Sequence, residues 1–177
     1  SFTTNRPMEN AFSTIISTVR AVYPKAEAVE HHGDLTMFVD TDSLIDVLTE
    51  LRDSPATAMN MLVDITAVDK NTSPDRYDVV YFLTSLIHKT RVRVKVRVRD
   101  DRMHLPTAVE IWESANWYER ETYDMYGVIF DGHPDLRRFY MPEDFMDENS
   151  EQLYPLRKDF PLMGIPGSLP LPPKEER

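Results

Sequence analysis

The sequence predicts an α+β protein. We expect a two-layer fold in which a mostly antiparallel five-stranded sheet carries helices on one face in the order α-ββ-α-βββ, followed by C-terminal helices and an extended tail. Three observations carry that expectation. Apolar residues recur at helical spacing in two early segments, alternating or continuous apolar runs mark three longer strands, and beyond Gly127 the pattern gives way to proline and charge.

The first helix starts at Pro7, whose missing N–H costs nothing in a first turn, and runs through Met8, Phe12, Ile15, Ile16 and Val19 until Pro24 closes it. Glu27–His31 and Leu35–Asp40 read as short strands joined at His32-Gly33-Asp34, with Gly33 supplying the positive φ of a tight hairpin. Thr41 or Asp42 offers an N-cap for a second helix, in which Leu44, Val47, Leu48 and Leu51 share one face, and Ser54-Pro55 ends it. The longer strands are Met59–Val68, Tyr77–Leu86 and Thr90–Arg99; Val79-Val80-Tyr81-Phe82-Leu83 is apolar on both faces, which makes that strand central. Pro106–Glu113 and Asn116–Gly127 read as helices, and no regular element is expected after Gly127. Residues 1–130 then form the domain and 131–177 an extended, Pro-rich, charged tail. Phe139, Tyr140, Phe145, Tyr154, Phe160 and Leu162 predict that this tail drapes over a surface, because freely disordered tails are poor in aromatics.

A chain of 177 residues, 41% hydrophobic, has room for one core. Its net charge of -10 disfavours nucleic acid and anionic membrane surfaces as partners. The absence of cysteine removes disulfides, thiolate zinc sites, cysteine nucleophiles and cysteine-ligated iron–sulfur clusters. No apolar run approaches the roughly 20 residues that span a bilayer, and Ser1 to Pro7 resembles neither a signal peptide nor an amphipathic presequence, so membrane association is expected only through a partner. Five glycines at 33, 127, 132, 164 and 167 form no phosphate-binding loop, and no G-x-S-x-G elbow occurs.

Two segments stand out. From Arg91 to Arg99 every second residue is valine and every other one basic. The simpler reading is a half-buried strand whose solvated face carries charge against edge-to-edge pairing; the functional one is a stripe, with Arg93 and Arg97 at its centre, by which a free-standing adaptor binds an acidic protein. The second segment, Trp117 to Gly127, carries aromatics around most of a helix and so calls for cover from a second body. Trp117, Glu121 and Asp124 cluster on one side of it, and neither Glu119 nor Glu121 has a cation three or four positions away. Both acids must therefore be solvated or paired with distant cations, for which Arg137, Arg138, Arg157 and Lys158 are candidates. Glu121 and Asp124 with His133 form the alternative, a metal-dependent hydrolytic site, but paired carboxylates near arginines more often belong to ion-pair networks. His31 and His32 point to opposite faces of a strand, while His88 and His104 fall in turns.

Three ordered blocks resemble a known signature: Trp117-Tyr118-Glu119-Arg120-Glu121-Thr122-Tyr123-Asp124-Met125-Tyr126-Gly127-Val128-Ile129-Phe130, then His133-Pro134-Asp135-Leu136-Arg137-Arg138, then Pro155-Leu156-Arg157-Lys158-Asp159-Phe160-Pro161. They are similar to the 30 kDa subunit of the proton-pumping NADH:quinone oxidoreductase, respiratory complex I. The resemblance implies an α+β, hydrophilic peripheral-arm subunit that supports electron transfer to quinone without catalysing it. It packs against the large, hydrogenase-derived quinone-site subunit and against other peripheral-arm subunits, its tail docking on such a partner. No cofactor is expected on this chain; FMN, iron–sulfur clusters, NADH and quinone belong to other subunits. The resemblance further implies a place on the cytoplasmic side of a bacterial inner membrane, with the mitochondrial matrix side or a thylakoid as alternatives. Trp117, Glu119, Arg120, Glu121, Asp124, Gly127, His133, Pro134, Leu136, Arg137, Arg138, Arg157, Lys158 and Asp159 become the expected interface and signature residues. Equivalent subunits of ferredoxin- or F420-linked complexes and of membrane-bound hydrogenases share the resemblance, so the electron donor stays open.

Overall fold

A computed structural model describes residues 6–160. The elements are α1 (Arg6–Val22), β1 (Glu27–His31), β2 (Asp34–Val39), α2 (Leu44–Asp53), β3 (Met61–Asp69), β4 (Tyr77–Ser85), β5 (Thr90–Val98), β6 (His104–Pro106), α3 (Ala115–Tyr126) and β7 (Ile129–Asp131). The expected α+β fold and its α-ββ-α-βββ order are both present. Two sheets form, one of five strands in the order β1-β2-β5-β4-β3 and one pairing β6 with β7. Within the large sheet only β2 and β5 run parallel. The helical spacing does its expected work: Phe12, Ile15 and Val19 of α1 meet Leu44, Val47, Leu48 and Leu51 of α2 over a sheet face formed by Leu35, Met37, Val92, Val94, Val96, Tyr81 and Leu83.

Local details differ from expectation. The β1–β2 turn needs positive φ at His32 as well as at Gly33, as a two-residue primed turn does. Neither Thr41 nor Asp42 caps α2; Asp40 accepts the Ser43 N–H at 2.8 Å instead. Strand β4, buried almost throughout, lies between β5 and β3 as its two apolar faces require. Strand β5, however, is the middle strand of the five, so its charges guard no edge. Instead they are matched within the sheet: Asp34 pairs with both Arg91 and Arg93, Glu27 lies 3.8 Å from Arg97, and Arg93 and Arg97 stack over Phe82 and Phe38. The edges are β1 and β3; α3 lies alongside β3, where the Thr122 hydroxyl donates to the Ile65 carbonyl at 2.9 Å.

Pro106–Glu113 is not a helix. Its first residue completes β6, and the following backbone donors are captured from afar. Thr107 N–H bonds the Asp131 carbonyl, Ala108 N–H bonds the Glu119 carboxyl, and a single turn from Ala108 to Trp112 is all that remains. His104 accordingly sits in a strand, 3.0 Å from Asp131, rather than in a turn. Nor is the chain without regular structure after Gly127, since β7 pairs with β6 in parallel and Met146 bridges Gln152. Residues 131–160 then run back over the domain. Leu162 and the Pro-rich stretch 165–173 fall outside the described residues. Among the described residues no helix is long and apolar enough to cross a membrane.

Candidate functional site around the third helix

Helix α3 organises every signature block. It ends where the sequence says it should: Gly127 adopts φ 81° and donates its N–H to the Tyr123 carbonyl at 2.8 Å. Glu119 and Asp124, both fully buried, face different segments of chain.

Glu119 reaches toward the segment before the helix. Its carboxyl accepts the Ala108 N–H and the Thr107 hydroxyl, each at 2.6 Å. Burial raises its pKa from 4.5 to about 7, with those two hydrogen bonds pulling the other way. None of the four cations expected to pair with it does so among the described residues. Its near neighbour is His133, whose Nε2 lies 4.0 Å away and is wholly enclosed. The ring is neutral by its own bonding: Nδ1 accepts the Asp135 N–H, so Nε2 carries the proton and donates to the Asn116 carbonyl at 3.0 Å. The two form no ion pair. They bind the exit of β7 and the turn after β6 to the helix.

Asp124 reaches toward the segment after the helix. One carboxylate oxygen accepts three successive backbone N–H groups, from Phe139, Tyr140 and Met141, at 3.3, 2.8 and 2.9 Å. The other oxygen lies 3.8 Å from Nη1 of Arg138, which is equally buried. Arg138 donates through Nη2 to the Leu153 carbonyl at 2.7 Å and lies over the Tyr154 and Phe145 rings. This buried pair thus joins three parts of the chain: the helix, the turn at 138–141 and the segment at 153–154.

The last block closes the same end of the helix. Arg157 donates to the Tyr126 carbonyl at 2.7 Å, a cation at the negative end of α3, and its guanidinium stacks on Tyr154 at 4.2 Å. Both groups lie where a side chain on residue 127 would be. A Cβ there would come within 2.5 Å of the Arg157 guanidinium and 2.7 Å of the Tyr154 ring, so glycine is required by contact as well as by backbone. Lys158 contributes its backbone N–H, not its ammonium, to Asp69 at 2.8 Å, and Asp159 pairs with Arg76 at 2.8 Å.

Asp69 and Arg76 were not singled out in the sequence. They flank the β3–β4 turn and bond bidentately at 2.9 and 2.7 Å, and the arginine holds the Asp69 carboxyl far below the usual carboxylate range. Opposite charges seven apart around a turn are the signal that could have found them. Thr107 and Met103 also take part, and nothing local marks them.

The remaining signature residues face outward. Trp117 and Glu121 are exposed, while Arg120 lies over Trp117 at 5.5 Å and over Phe139 at 5.0 Å. Arg137 pairs with Asp135 at 3.0 Å, Pro134 is exposed, and Leu136 packs on the core margin. The alternative set of Glu121, Asp124 and His133 is not brought together. Glu121 faces solvent, Asp124 is committed to backbone donors, and His133 has both nitrogens engaged. Among the described residues no three His, Asp or Glu side chains converge as metal ligands.

Residues 37–166 match the model of the family described as respiratory-chain NADH dehydrogenase, 30 Kd subunit. The chain is 47% identical over 133 residues to the C subunit of the NADH-quinone oxidoreductase of Methylobacterium radiotolerans, covering 75% of this chain and 59% of that one. It thus spans about three-fifths of the length of such relatives. Among solved structures, a trypsin-resistant fragment of Nqo5 superposes with a TM-score of 0.61 at 32% identity, over 71% of this chain and 99% of the fragment. A chain of the membrane-bound sulfane sulfur reductase, an archaeal respiratory membrane complex, gives 0.68 at 30% identity over 85% of each.

Proposed function

The chain belongs to the family of the 30 kDa subunit of respiratory-chain NADH dehydrogenase, and on that premise we propose that it is a non-catalytic, hydrophilic subunit of the peripheral arm of an NADH:quinone oxidoreductase. Its task is to hold the large quinone-site subunit in place beside its neighbours. NADH, FMN, the iron–sulfur clusters and the quinone are bound by other subunits, and this chain lies on the cytoplasmic side of a bacterial inner membrane.

The observation that supports a structural role is the use made of the signature acids. Glu119 accepts from the Ala108 N–H and the Thr107 hydroxyl before α3, Asp124 accepts three backbone N–H groups after it and turns its other oxygen to the buried Arg138, and His133 engages both ring nitrogens with the backbone. Groups so engaged cannot serve a substrate without dismantling the fold that holds them. The adaptor reading loses support too, because three of the four cations of β5, Arg91, Arg93 and Arg97, are met by Asp34 and Glu27 of the same sheet. One observation favours a second reading within the same class. The likeness to a chain of a sulfane sulfur reductase supports an equivalent role in a complex with another electron donor.

Affinity purification of the tagged chain from its native membrane tests the proposal. The large quinone-site subunit and further peripheral-arm subunits should copurify, and the chain purified alone should be colourless and inert toward NADH. A chain that emerges without respiratory proteins, or with its own flavin or iron–sulfur spectrum, would overturn the reading.

A further inference from the structure

Three large aromatic side chains beside α3 remain uncovered among the described residues. Trp117 is 58% exposed, Tyr140 57% and Phe139 40%. They are continuous: Trp117 and Phe139 rings lie 5.6 Å apart, Phe139 and Tyr140 rings 4.0 Å apart. Arg120 is held over the first two rings, and its only other engagement among the described residues is a long 3.5 Å bond to the Arg137 carbonyl. Among the described residues no carboxylate lies within 4.0 Å of it, whereas Arg52, Arg76, Arg91, Arg93, Arg97, Arg99, Arg137 and Arg138 each have one.

This patch is rigidly built. Phe139 and Tyr140 are fixed from beneath by their N–H bonds to the buried Asp124, and Trp117 is fixed by the helix. Ring stacking fixes the guanidinium plane while leaving its donor fork open, the arrangement that receives a carboxylate bidentately. Trp, Tyr and Arg are also the side chains that dominate binding energy at the centres of protein interfaces. In a chain of net charge -10, an unpaired arginine within an aromatic field is a local inversion of sign.

We propose that Trp117, Arg120, Phe139 and Tyr140 form the docking centre for a partner protein of the complex, which presents an aspartate or glutamate to Arg120 from an apolar surface that covers the three rings. This rests on the reading of the chain as one part of a larger complex, and it names the surface and the chemistry of its contact with the large quinone-site subunit. A lipid surface is the weaker fit, since one arginine, with the exposed Glu121 next to it in sequence and a chain of net charge -10 around it, offers little attraction to anionic headgroups.

Binding of the wild-type chain and its variants to the co-expressed large quinone-site subunit tests the proposal. Trp117→Ala and Tyr140→Ala should each weaken the complex at least tenfold, and Arg120→Glu about a hundredfold. Arg91→Glu, on the sheet face, should stay within threefold, and all four variants should fold with melting points within a few degrees of the wild type because none of the altered side chains belongs to the buried core. Trp117 and Tyr140 should also lose reactivity to hydroxyl radicals in the complex. Wild-type affinity in the Trp117, Tyr140 and Arg120 variants, or unchanged footprints, would overturn the docking centre while leaving the family's role in the complex standing. Failure of the wild-type chain to bind this partner would overturn both. Binding of the wild type to phosphatidylglycerol vesicles that is lost in Trp117→Ala would overturn the protein partner in favour of a lipid one.

Discussion

Glu119 gives the sharpest test of the fold's electrostatics. Burial raises its pKa from 4.5 to about 7, so the folded state binds a proton more tightly than the unfolded chain does. The sign follows. Protonated Glu119 contributes fully below pH 4.5, and that contribution is lost as pH rises toward 7, because the native state then holds the proton that the unfolded state has released. At 1.36 kcal/mol per unit, the loss amounts to about 3 kcal/mol, equivalent to roughly 6–12 °C in Tm for a chain of this size.

Glu119→Gln removes the titration while keeping the geometry. The amide oxygen can accept the Ala108 N–H, and the amide nitrogen can donate to the Thr107 hydroxyl, reversing that bond's direction. Urea unfolding of both proteins at pH 4.5, 6, 7 and 8 measures the effect. The stability difference, variant minus wild type, should grow by about 3 kcal/mol from pH 4.5 to 8, most steeply near pH 6. Contributions common to the two proteins cancel in the difference. Parallel pH profiles would refute the claim that this carboxyl is held neutral by burial.

Gly127→Ala should cost about 2–3 kcal/mol, since a left-handed alanine is strained and its Cβ must expel Arg157 from the Tyr126 carbonyl; trypsin should then cut after Arg157 faster than in the wild type. Asp124→Ala leaves three backbone donors without an acceptor and the buried Arg138 guanidinium without its counter-charge, a loss of about 3–5 kcal/mol visible in urea unfolding, with new tryptic cleavage at Arg138. Asp69 behaves oppositely to Glu119. Its lowered pKa contributes stability above 3.8 that is lost as pH falls further, so Asp69→Asn should flatten the acid limb of the stability curve and leave its slope between pH 5 and 8 unchanged.

Much of this fold was legible because its signals are local. Helix α3 and its stop at Gly127, the buried stripe of α2, and the period of β5 all depend on residues within a few positions of one another. What was not legible depends on distant partners. Alternation in β5 tells which residues share a face, but not which strands lie beside it, and its parallel pairing with β2 is set by the connection through α2, β3 and β4. Pro106–Glu113 has helical spacing, yet Glu119, eleven and twelve residues away, takes the N–H of Ala108 and the hydroxyl of Thr107 before a helix can use that segment.

The signature acids illustrate the same limit more deeply. Glu119, without a neighbouring cation, was expected to be solvated or to find an arginine of the tail, but the Ala108 N–H and the Thr107 hydroxyl satisfy it in place; Asp124 does meet a tail arginine, Arg138, and adds three backbone N–H groups. Glu119 and Asp124 are five positions apart, about 140° around the helix. One therefore gathers the chain that precedes α3 and the other the chain that follows it. Trp117 lies close to Asp124 in angle but two turns earlier, where the returning segment touches it only through the Phe139 ring and leaves it 58% exposed. Glu119 and Asp124 are thus consumed inward, in winding the chain about one helix, while Glu121 stays exposed. The motif's aromatics and Arg120 are what that winding leaves on the outside, and the surface they form is a product of the fold those two acids secure.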